Sequence, residues 1–168
     1  MDGLKKILLP IAAVILIIAG GCNKGIEPEY DIPGFSGRVT FGGTWPDSIQ
    51  RTYVIVFDSL LEDVNDFNLF NIKFISALIP TGISYYDFDS RDSALIPIEA
   101  GNYAYVAVVQ QKTPRLSLLR KDWKVAGIYY ANGDTLQPGQ LVIPHNAFIK
   151  NININCNFDN PPPQPPGG

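Results

Sequence analysis

The alternation of apolar and polar residues along the chain predicts a domain made of short β-strands. Near the C-terminal end, the even positions from Ile152 to Phe158 are apolar and the odd positions between them are all Asn. Successive side chains of a strand point to opposite faces, so this segment predicts a strand with one buried and one polar face. The segment Phe35 to Phe41 alternates in the same way and predicts a second half-buried strand.

Other apolar segments do not alternate, which is typical of strands that are covered on both faces. Arg51 to Asp58 is one of them, and Asn102 to Gln110 predicts another, opened by Gly101. Shorter strands are predicted over Ile83–Phe88, Val125–Ala131 and Leu141–Ile143. About seven or eight short strands separated by turn residues, without a long amphipathic helix, predict an all-β fold of the β-sandwich type.

The first residues have the order of a secretory signal peptide. Lys5 and Lys6 precede an apolar run from Ile7 to Ala19, and small residues follow it up to Cys22. The run is shorter than the roughly 20 apolar residues that a membrane-spanning helix needs. We therefore predict a signal-peptide helix over residues 1–21, in front of the β-sandwich.

The sequence Ile18-Ala19-Gly20-Gly21-Cys22 resembles the lipobox of bacterial lipoproteins, in which small residues precede a lipidated Cys. The resemblance implies cleavage before Cys22, a diacylglycerol thioether on its sulfur and an acyl group on the new N-terminus. It also implies an exported protein, held at the outer membrane or cell surface by acyl chains in the bilayer. Two or three such chains anchor stably, because each buried CH₂ contributes about 0.8 kcal/mol. The alternative is an ordinary signal peptide or a short membrane helix, with Cys22 incidental.

Composition divides the rest of the chain into a tether, a domain and a tail. Residues 22–34 contain Pro and Gly and little apolar content, so they predict a lipidated N-terminus followed by a flexible tether. Residues 35–158 form the predicted β-sandwich domain. Residues 159–168 (DNPPPQPPGG) predict a polyproline II or disordered tail, either a frayed end or a ligand for an aromatic-lined groove.

Charge and composition exclude several classes of function. The chain has 13 Lys and Arg against 16 Asp and Glu, a formal net charge of −3, which argues against a nucleic-acid partner. With Cys22 lipidated, Cys156 has no partner for a disulfide, and its place on an apolar strand face predicts packing rather than catalysis. His145 is the one His, and the chain has no G-x-S-x-G motif. We therefore expect no enzyme and no cofactor.

Two segments resemble the transthyretin-like or carboxypeptidase regulatory-like domains of exported bacterial proteins. Ser36 to Thr40 is similar to their opening strand, and Glu99 to Tyr103 is similar to their turn before a central strand. The resemblance implies an immunoglobulin-like topology and a non-catalytic module. From the residues themselves, we expect Tyr103 to bury its ring while its hydroxyl finds a backbone partner.

Two local patterns suggest ligand binding. Asp87, Asp89 and Asp92 place carboxylates at nearby positions, as Ca²⁺ sites do, although the EF-hand spacing fails and Asp is also common in turns. Several aromatic residues are candidates for stacking on sugars: Trp45, Tyr85, Tyr86, Tyr129 and Tyr130. Because neighbouring strand residues face opposite ways, each Tyr pair should expose about one ring.

The segment 112–124 is basic and apolar at once. It contains Lys112, Arg115, Arg120, Lys121 and Lys124, interleaved with Leu116, Leu118, Leu119 and Trp123. Such a segment could contact anionic headgroups or an anionic polymer. The alternative is a solvated loop whose leucines and Trp123 plug the end of the sandwich.

Together these patterns predict a membrane-anchored lipoprotein of the cell envelope that acts as a non-catalytic binding or structural module. Its partners would be the bilayer, through acyl chains on Cys22, and an envelope protein or a polysaccharide. The alternative is a carbohydrate- or calcium-binding accessory protein at the cell surface.

Overall fold

Ten β-strands and three short 3₁₀ turns make up the regular structure of residues 32–168, the part of the chain that the computed structural model describes. The strands are β1 (Gly34–Gly42), β2 (Arg51–Phe57), β3 (Ile72–Ile75), β4 (Tyr85–Asp89), β5 (Gly101–Tyr103), β6 (Tyr105–Gln111), β7 (Trp123–Tyr129), β8 (Leu141–Ile143), β9 (Phe148–Ile149) and β10 (Ile154–Asn157). The 3₁₀ turns are Val64–Asp66, Arg120–Asp122 and Ala131–Gly133. The all-β prediction is confirmed for these residues. The predicted signal peptide, Cys22 and most of the tether lie outside the described residues.

Eight of these strands form one curled sheet in the order β3-β2-β6-β7-β10-β1-β4, with β9 pairing to the start of β1. The strands β1 and β10 run parallel, whereas β2, β6 and β7 form antiparallel neighbours. The strands β5 and β8 form a separate two-stranded sheet. This arrangement is consistent with a β-sandwich. Within residues 32–168, no helix has the length and apolar character needed to cross a membrane.

Apolar side chains from the two faces of the large sheet enter two separate clusters. Val54, Val106 and Phe35 belong to the inner cluster, which also takes side chains from β5 and β8. Tyr53 and Ile55 belong to an outer cluster that the segment carrying Leu61 and Phe67 covers. The strands β2 and β6 are therefore buried on both faces, which confirms the interpretation of their non-alternating sequences.

The predicted single strand over residues 102–110 is wrong, because Ala104 divides it between the two sheets. Gly101–Tyr103 pairs with β8, whereas Tyr105–Gln111 pairs with β2 and β7. The amide of Ala104 donates to the carbonyl oxygen of Asp58 at 3.1 Å, at the point where the chain changes sheets. Local sequence shows extended backbone on both sides of Ala104, but the choice of pairing partner depends on residues far away in the chain.

The environment of Tyr103 agrees with its prediction. Its ring is 5% exposed, and its hydroxyl donates to the carbonyl oxygen of Glu99 at 2.9 Å. A Cβ atom at Gly101 would lie 2.9 Å from that hydroxyl oxygen. Glycine at position 101 therefore makes room for the buried phenol.

The Pro-rich segment after residue 158 contacts the edge of β7 and the side chain of Arg120. The side chain of Gln164 pairs with the backbone of Val125, accepting from its amide and donating to its carbonyl oxygen, both at 2.8 Å. Arg120 donates to the carbonyl oxygen of Pro165 at 2.7 Å. β10 pairs with β7 only from Gly127 onward, so the backbone of Val125 lacks a strand on that side. Proline has no amide donor, and the Gln164 side chain supplies both groups instead.

Candidate functional site on the open face of the sheet

The outer surface of β4, β1 and β10 is an exposed polar area of the described sheet. Its exposed side chains, which we call the open face, are Tyr85 and Asp87 on β4, Arg38 and Thr40 on β1, Asn153 just before β10, and Asn155 and Asn157 on β10. Strand pairing sets Tyr85 opposite Thr40 and Thr40 opposite Asn155, so one row crosses all three strands. The face thus presents hydroxyl, amide and charged groups around one aromatic ring.

A bulge between β9 and β10 shapes one end of this face. Gly34 pairs with Phe148 and Val39 pairs with Ile154, so five steps along β1 match six steps along its partner. Asn151 absorbs the extra residue with a φ of +66°. Asn tolerates this left-handed conformation better than most residues other than Gly.

The bulge brings the backbone of Ile152 against β1. The amide of Ile152 donates to the carbonyl oxygen of Ser36 at 3.0 Å, and the amide of Arg38 donates to Oδ1 of Asn153 at 2.9 Å. A Cβ atom at Gly37 would lie 2.0 Å from the carbonyl oxygen of Ile152. Position 37 therefore requires Gly because of close backbone approach.

Arg38 and Asp87 form a bidentate salt bridge on the open face. Nε and Nη2 of Arg38 donate to the two carboxylate oxygens of Asp87 at 2.6 and 2.8 Å. The hydrogen bond from Arg38 holds the pKa of Asp87 below its ordinary value. The guanidinium also lies 4.6 Å from the centroid of the Tyr85 ring. Both ionic side chains are more than half exposed, so the pair fixes their orientation more than it stabilises the fold.

A second arginine engages Asp89. Nε and Nη2 of Arg91 donate to the carboxylate of Asp89 at 2.9 and 2.6 Å, and this contact lowers the pKa of Asp89. Asp92 is exposed in the turn that follows β4 and lines the same groove as Asp87 and Asp89. The structure thus gathers the three predicted carboxylates around one groove, but arginines hold two of them. Residues 32–168 contain no group of three His, Cys, Asp or Glu side chains placed to hold a metal ion.

The candidate stacking aromatics do not share one surface role. Trp45 is half-buried against Phe41 and Phe158, with ring centroids 4.7 Å from each, and its Nε1 donates to the carbonyl oxygen of Ile83. Tyr129 is also half-buried, against the inner cluster. Tyr85 is 54% exposed. Tyr86 and Tyr130 are half-buried, so Tyr85 is the most accessible ring of the five candidates.

Cys156 and His145, the residues with possible catalytic chemistry, do not belong to the open face. Cys156 points to the inner cluster, and burial raises the pKa of its thiol to about 12. At neutral pH this thiol is protonated and shielded, so it is a packing residue, as its strand position predicts. His145 is exposed in the turn after β8.

Sequence reasoning did not single out Arg38, Thr40 or the Asn side chains as a site. The repeated Asn at alternate positions was a usable signal, because an amide offers both a donor and an acceptor where a charged side chain offers one kind of group. The position of β10 beside β1 was not visible, since the two strands are separated by more than 110 residues in the chain. No protein-family model matches the chain, and comparison with curated proteins and with solved structures gives no match.

Proposed function

We propose that this protein is an exported bacterial lipoprotein, anchored at the outer membrane or cell surface through acyl chains on Cys22. Its β-sheet domain is a non-catalytic binding module of the cell envelope. The observation that carries the anchor is the order of residues before Cys22: two lysines, a short apolar run and two glycines. The open face carries the binding role, because it offers fixed polar groups and an accessible ring rather than an activated nucleophile.

As part of this proposal, the fold of the domain is an immunoglobulin-like, transthyretin-like β-sandwich. The supporting contact is the hydrogen bond from the Tyr103 hydroxyl to the backbone of Glu99, four residues upstream. Immunoglobulin-like sandwiches use a comparable tyrosine corner, in which a buried Tyr bonds to backbone a few residues earlier.

A second candidate function, the binding of neutral polysaccharide, is favoured by the open face itself. Asn155 and Thr40 supply groups that match sugar hydroxyls, and Tyr85 supplies a ring on which the apolar face of a sugar can stack. The charges of Arg38 and Asp87 cancel, so the face does not select a charged ligand. Calcium binding is less favoured, because a cation would have to displace arginines from Asp87 and Asp89.

The anchor is tested by metabolic labelling with palmitate. The wild-type chain should carry label, Cys22→Ala should lose it, and the control Cys156→Ala should keep it. Mass spectrometry of the labelled protein should place the modified N-terminus at Cys22. Equal labelling of wild type and Cys22→Ala, or no labelling of either, would reject the anchor.

Polysaccharide binding is tested by electrophoresis in gels that contain a neutral glycan such as mannan, dextran or xylan. At least one of them should retard the protein, and Tyr85→Ala or Asn155→Ala should remove most of the retardation. Phe70→Ala is the matched control, because Phe70 is 89% exposed and lies outside the open face. Absence of retardation in every neutral glycan, or equal loss with Phe70→Ala, contradicts this role.

A further inference from the structure

The loop that joins β6 to β7 leaves three leucines exposed to solvent. Leu116, Leu118 and Leu119 are 40%, 44% and 59% exposed, whereas Trp123 is 2% exposed. The interpretation of this segment as a plug is therefore right for Trp123 and wrong for the leucines. Three exposed leucines within four residues are an apolar feature of the surface that needs an explanation.

Ser117 explains why the leucines are not buried. Its carbonyl oxygen accepts from Nε2 of Gln111 at 2.8 Å and from Nε1 of Trp123 at 2.7 Å. Its hydroxyl donates to the carboxylate of Asp122. These contacts pin the backbone of the loop at Ser117, between Leu116 and Leu118. The loop is thus held by polar groups from inside, with its apolar side chains left outside.

The same segment carries an excess of exposed positive charge. Lys112, Arg115, Lys121 and Lys124 are exposed, and Asp122 is the one acidic residue between positions 112 and 124. The carboxylate of Asp122 accepts a hydrogen bond from the neutral Ser117 hydroxyl, so one carboxylate stands against four exposed cations. We call residues 112–124 the basic loop. Arg120 adds little to the surface charge of the basic loop. Its side chain is 7% exposed and donates to the carbonyl oxygens of Trp123 and Pro165.

A cavity of about 270 Å³ lies beside these charges. Its lining includes Lys112, Lys121 and Lys124, together with Gln110 and the acidic Asp122. Gln110 is 1% exposed, and its Nε2 is buried without a hydrogen-bond partner among the described residues. Buried donors normally have partners, and three ammonium groups against one carboxylate leave the lining with an excess of positive charge that attracts an anion. The cavity therefore has the chemistry of a site for an anionic oxygen group.

We propose that the basic loop docks the domain onto a bilayer that contains anionic phospholipid. Leu116, Leu118 and Leu119 enter the interface, and the lysine-lined cavity receives a headgroup phosphate. The inference rests on the proposed function in one respect: the acyl anchor on Cys22 would hold the domain near such a bilayer. A soluble anionic polymer would also meet the lysines, but it gives no role to exposed leucines, so the bilayer is the partner that accounts for both features.

The test places an environment-sensitive fluorophore on the loop in the full chain carrying Cys22→Ala, so that no acyl anchor contributes. Leu118→Cys receives the label, and Leu78→Cys is the matched control because Leu78 is 49% exposed outside the loop. Cys156 is buried and should not react. With vesicles of phosphatidylglycerol and phosphatidylcholine, the label at position 118 should shift to the blue and that at position 78 should not. Vesicles of phosphatidylcholine alone should produce no shift.

Charge variants test the lysines in the same assay. Each surface cation contributes roughly a fivefold factor to binding an anionic bilayer, so Lys112→Gln with Lys121→Gln should weaken binding about 25-fold. Lys73→Gln with Lys150→Gln removes the same charge outside the loop and should leave binding nearly unchanged. No shift at position 118, or equal shifts at 118 and 78, overturns the proposal. Binding of soluble dextran sulfate without a vesicle-induced shift at 118 also overturns it, in favour of a polymer.

These outcomes are independent of the acyl anchor. A chain that incorporates palmitate at Cys22 but shows no shift at position 118 refutes the docking loop and leaves the lipoprotein proposal standing. A chain that docks through the loop but never carries palmitate refutes the lipoprotein proposal and leaves the docking loop standing.

Discussion

Replacing Gly37 by Ala is the most direct way to test the bulge that shapes the open face. The added Cβ atom would lie 2.0 Å from the carbonyl oxygen and 2.5 Å from the carbonyl carbon of Ile152, where ordinary contacts begin near 3.4 Å. Both atoms belong to the backbone, so no side-chain rotation relieves the clash. The backbone at Ile152 must therefore move away from β1 by roughly 1 Å or more, the difference between the 2.0 Å approach and an ordinary contact.

The expected loss of stability has two parts. Forcing extra volume into a packed site costs about 1–3 kcal/mol. Separation also weakens the hydrogen bonds from Ile152 to Ser36 and from Arg38 to Asn153, which together contribute about 1–3 kcal/mol. We therefore expect Gly37→Ala to lower the free energy of unfolding by about 2–6 kcal/mol, a large share of the roughly 5–15 kcal/mol that a domain of this kind has.

Gly42→Ala provides the matched control in the same strand. A Cβ atom there would meet the carbonyl oxygen of Cys156 at 3.7 Å, an ordinary contact. Because Ala restricts the unfolded chain more than Gly, this change should be neutral or stabilise by up to about 1 kcal/mol. Guanidinium unfolding followed by Trp fluorescence measures both variants. If the two variants differ by less than about 0.5 kcal/mol, the close approach of Ile152 to Gly37 is refuted.

Three further predictions concern the tail, the buried thiol and the ion pair after β4. Gln164→Ala should increase hydrogen exchange at the Val125 amide and cost about 1 kcal/mol, since it removes two partly exposed hydrogen bonds; unchanged exchange would contradict the pairing. Cys156 should resist thiol reagents at pH 8 in the folded chain and react in denaturant. Because its folded pKa is raised from 9.0 to about 12, the free energy of unfolding should fall as the pH rises between these values. The fall should be shallower in Cys156→Ala than in wild type, while the raised pKa values of Tyr103 and Tyr105 act in both proteins, and equal slopes would contradict the prediction. Arg91→Ala should raise the pKa of Asp89 toward 3.8 in an NMR titration. Since the pKa of Asp89 is depressed in the folded chain, the stability that its carboxylate contributes is present above pH 3.8 and is lost as the pH falls further. An unchanged titration of Asp89 in Arg91→Ala would disprove the contact.

Local alternation was sufficient to predict the individual strands of the candidate site. The burial of Ile154 and Cys156 and the exposure of Asn153 and Asn155 follow from the period of two. The same pattern predicts that Cys156 lies in the core, where the structure places it. The Asp87–Arg38 pair could not be predicted in this way, because it joins strands that are 49 residues apart in the chain.

The basic loop shows a different limit. Its composition indicated both charge and apolar surface, but two opposite arrangements fit that composition, leucines buried or leucines exposed. The choice depends on Ser117, whose contacts with Gln111 and Trp123 occupy the inward position of the loop. A periodic pattern cannot show this, because the loop has no regular secondary structure and each contact depends on its own geometry.

By itself, the sequence determined the all-β class, the buried character of β2 and β6, and the polar surface of β10, because side-chain direction in a strand follows from neighbouring residues alone. Only the tertiary structure decided that β10 lies parallel to β1, that the chain changes sheets at Ala104, and that Gln164 closes the side of β7 left open by β10. The physical reason is that hydrogen bonds between strands join backbone groups whatever their side chains. Which strands pair is therefore set by how the whole set of apolar faces can be buried together, and no single segment contains that information.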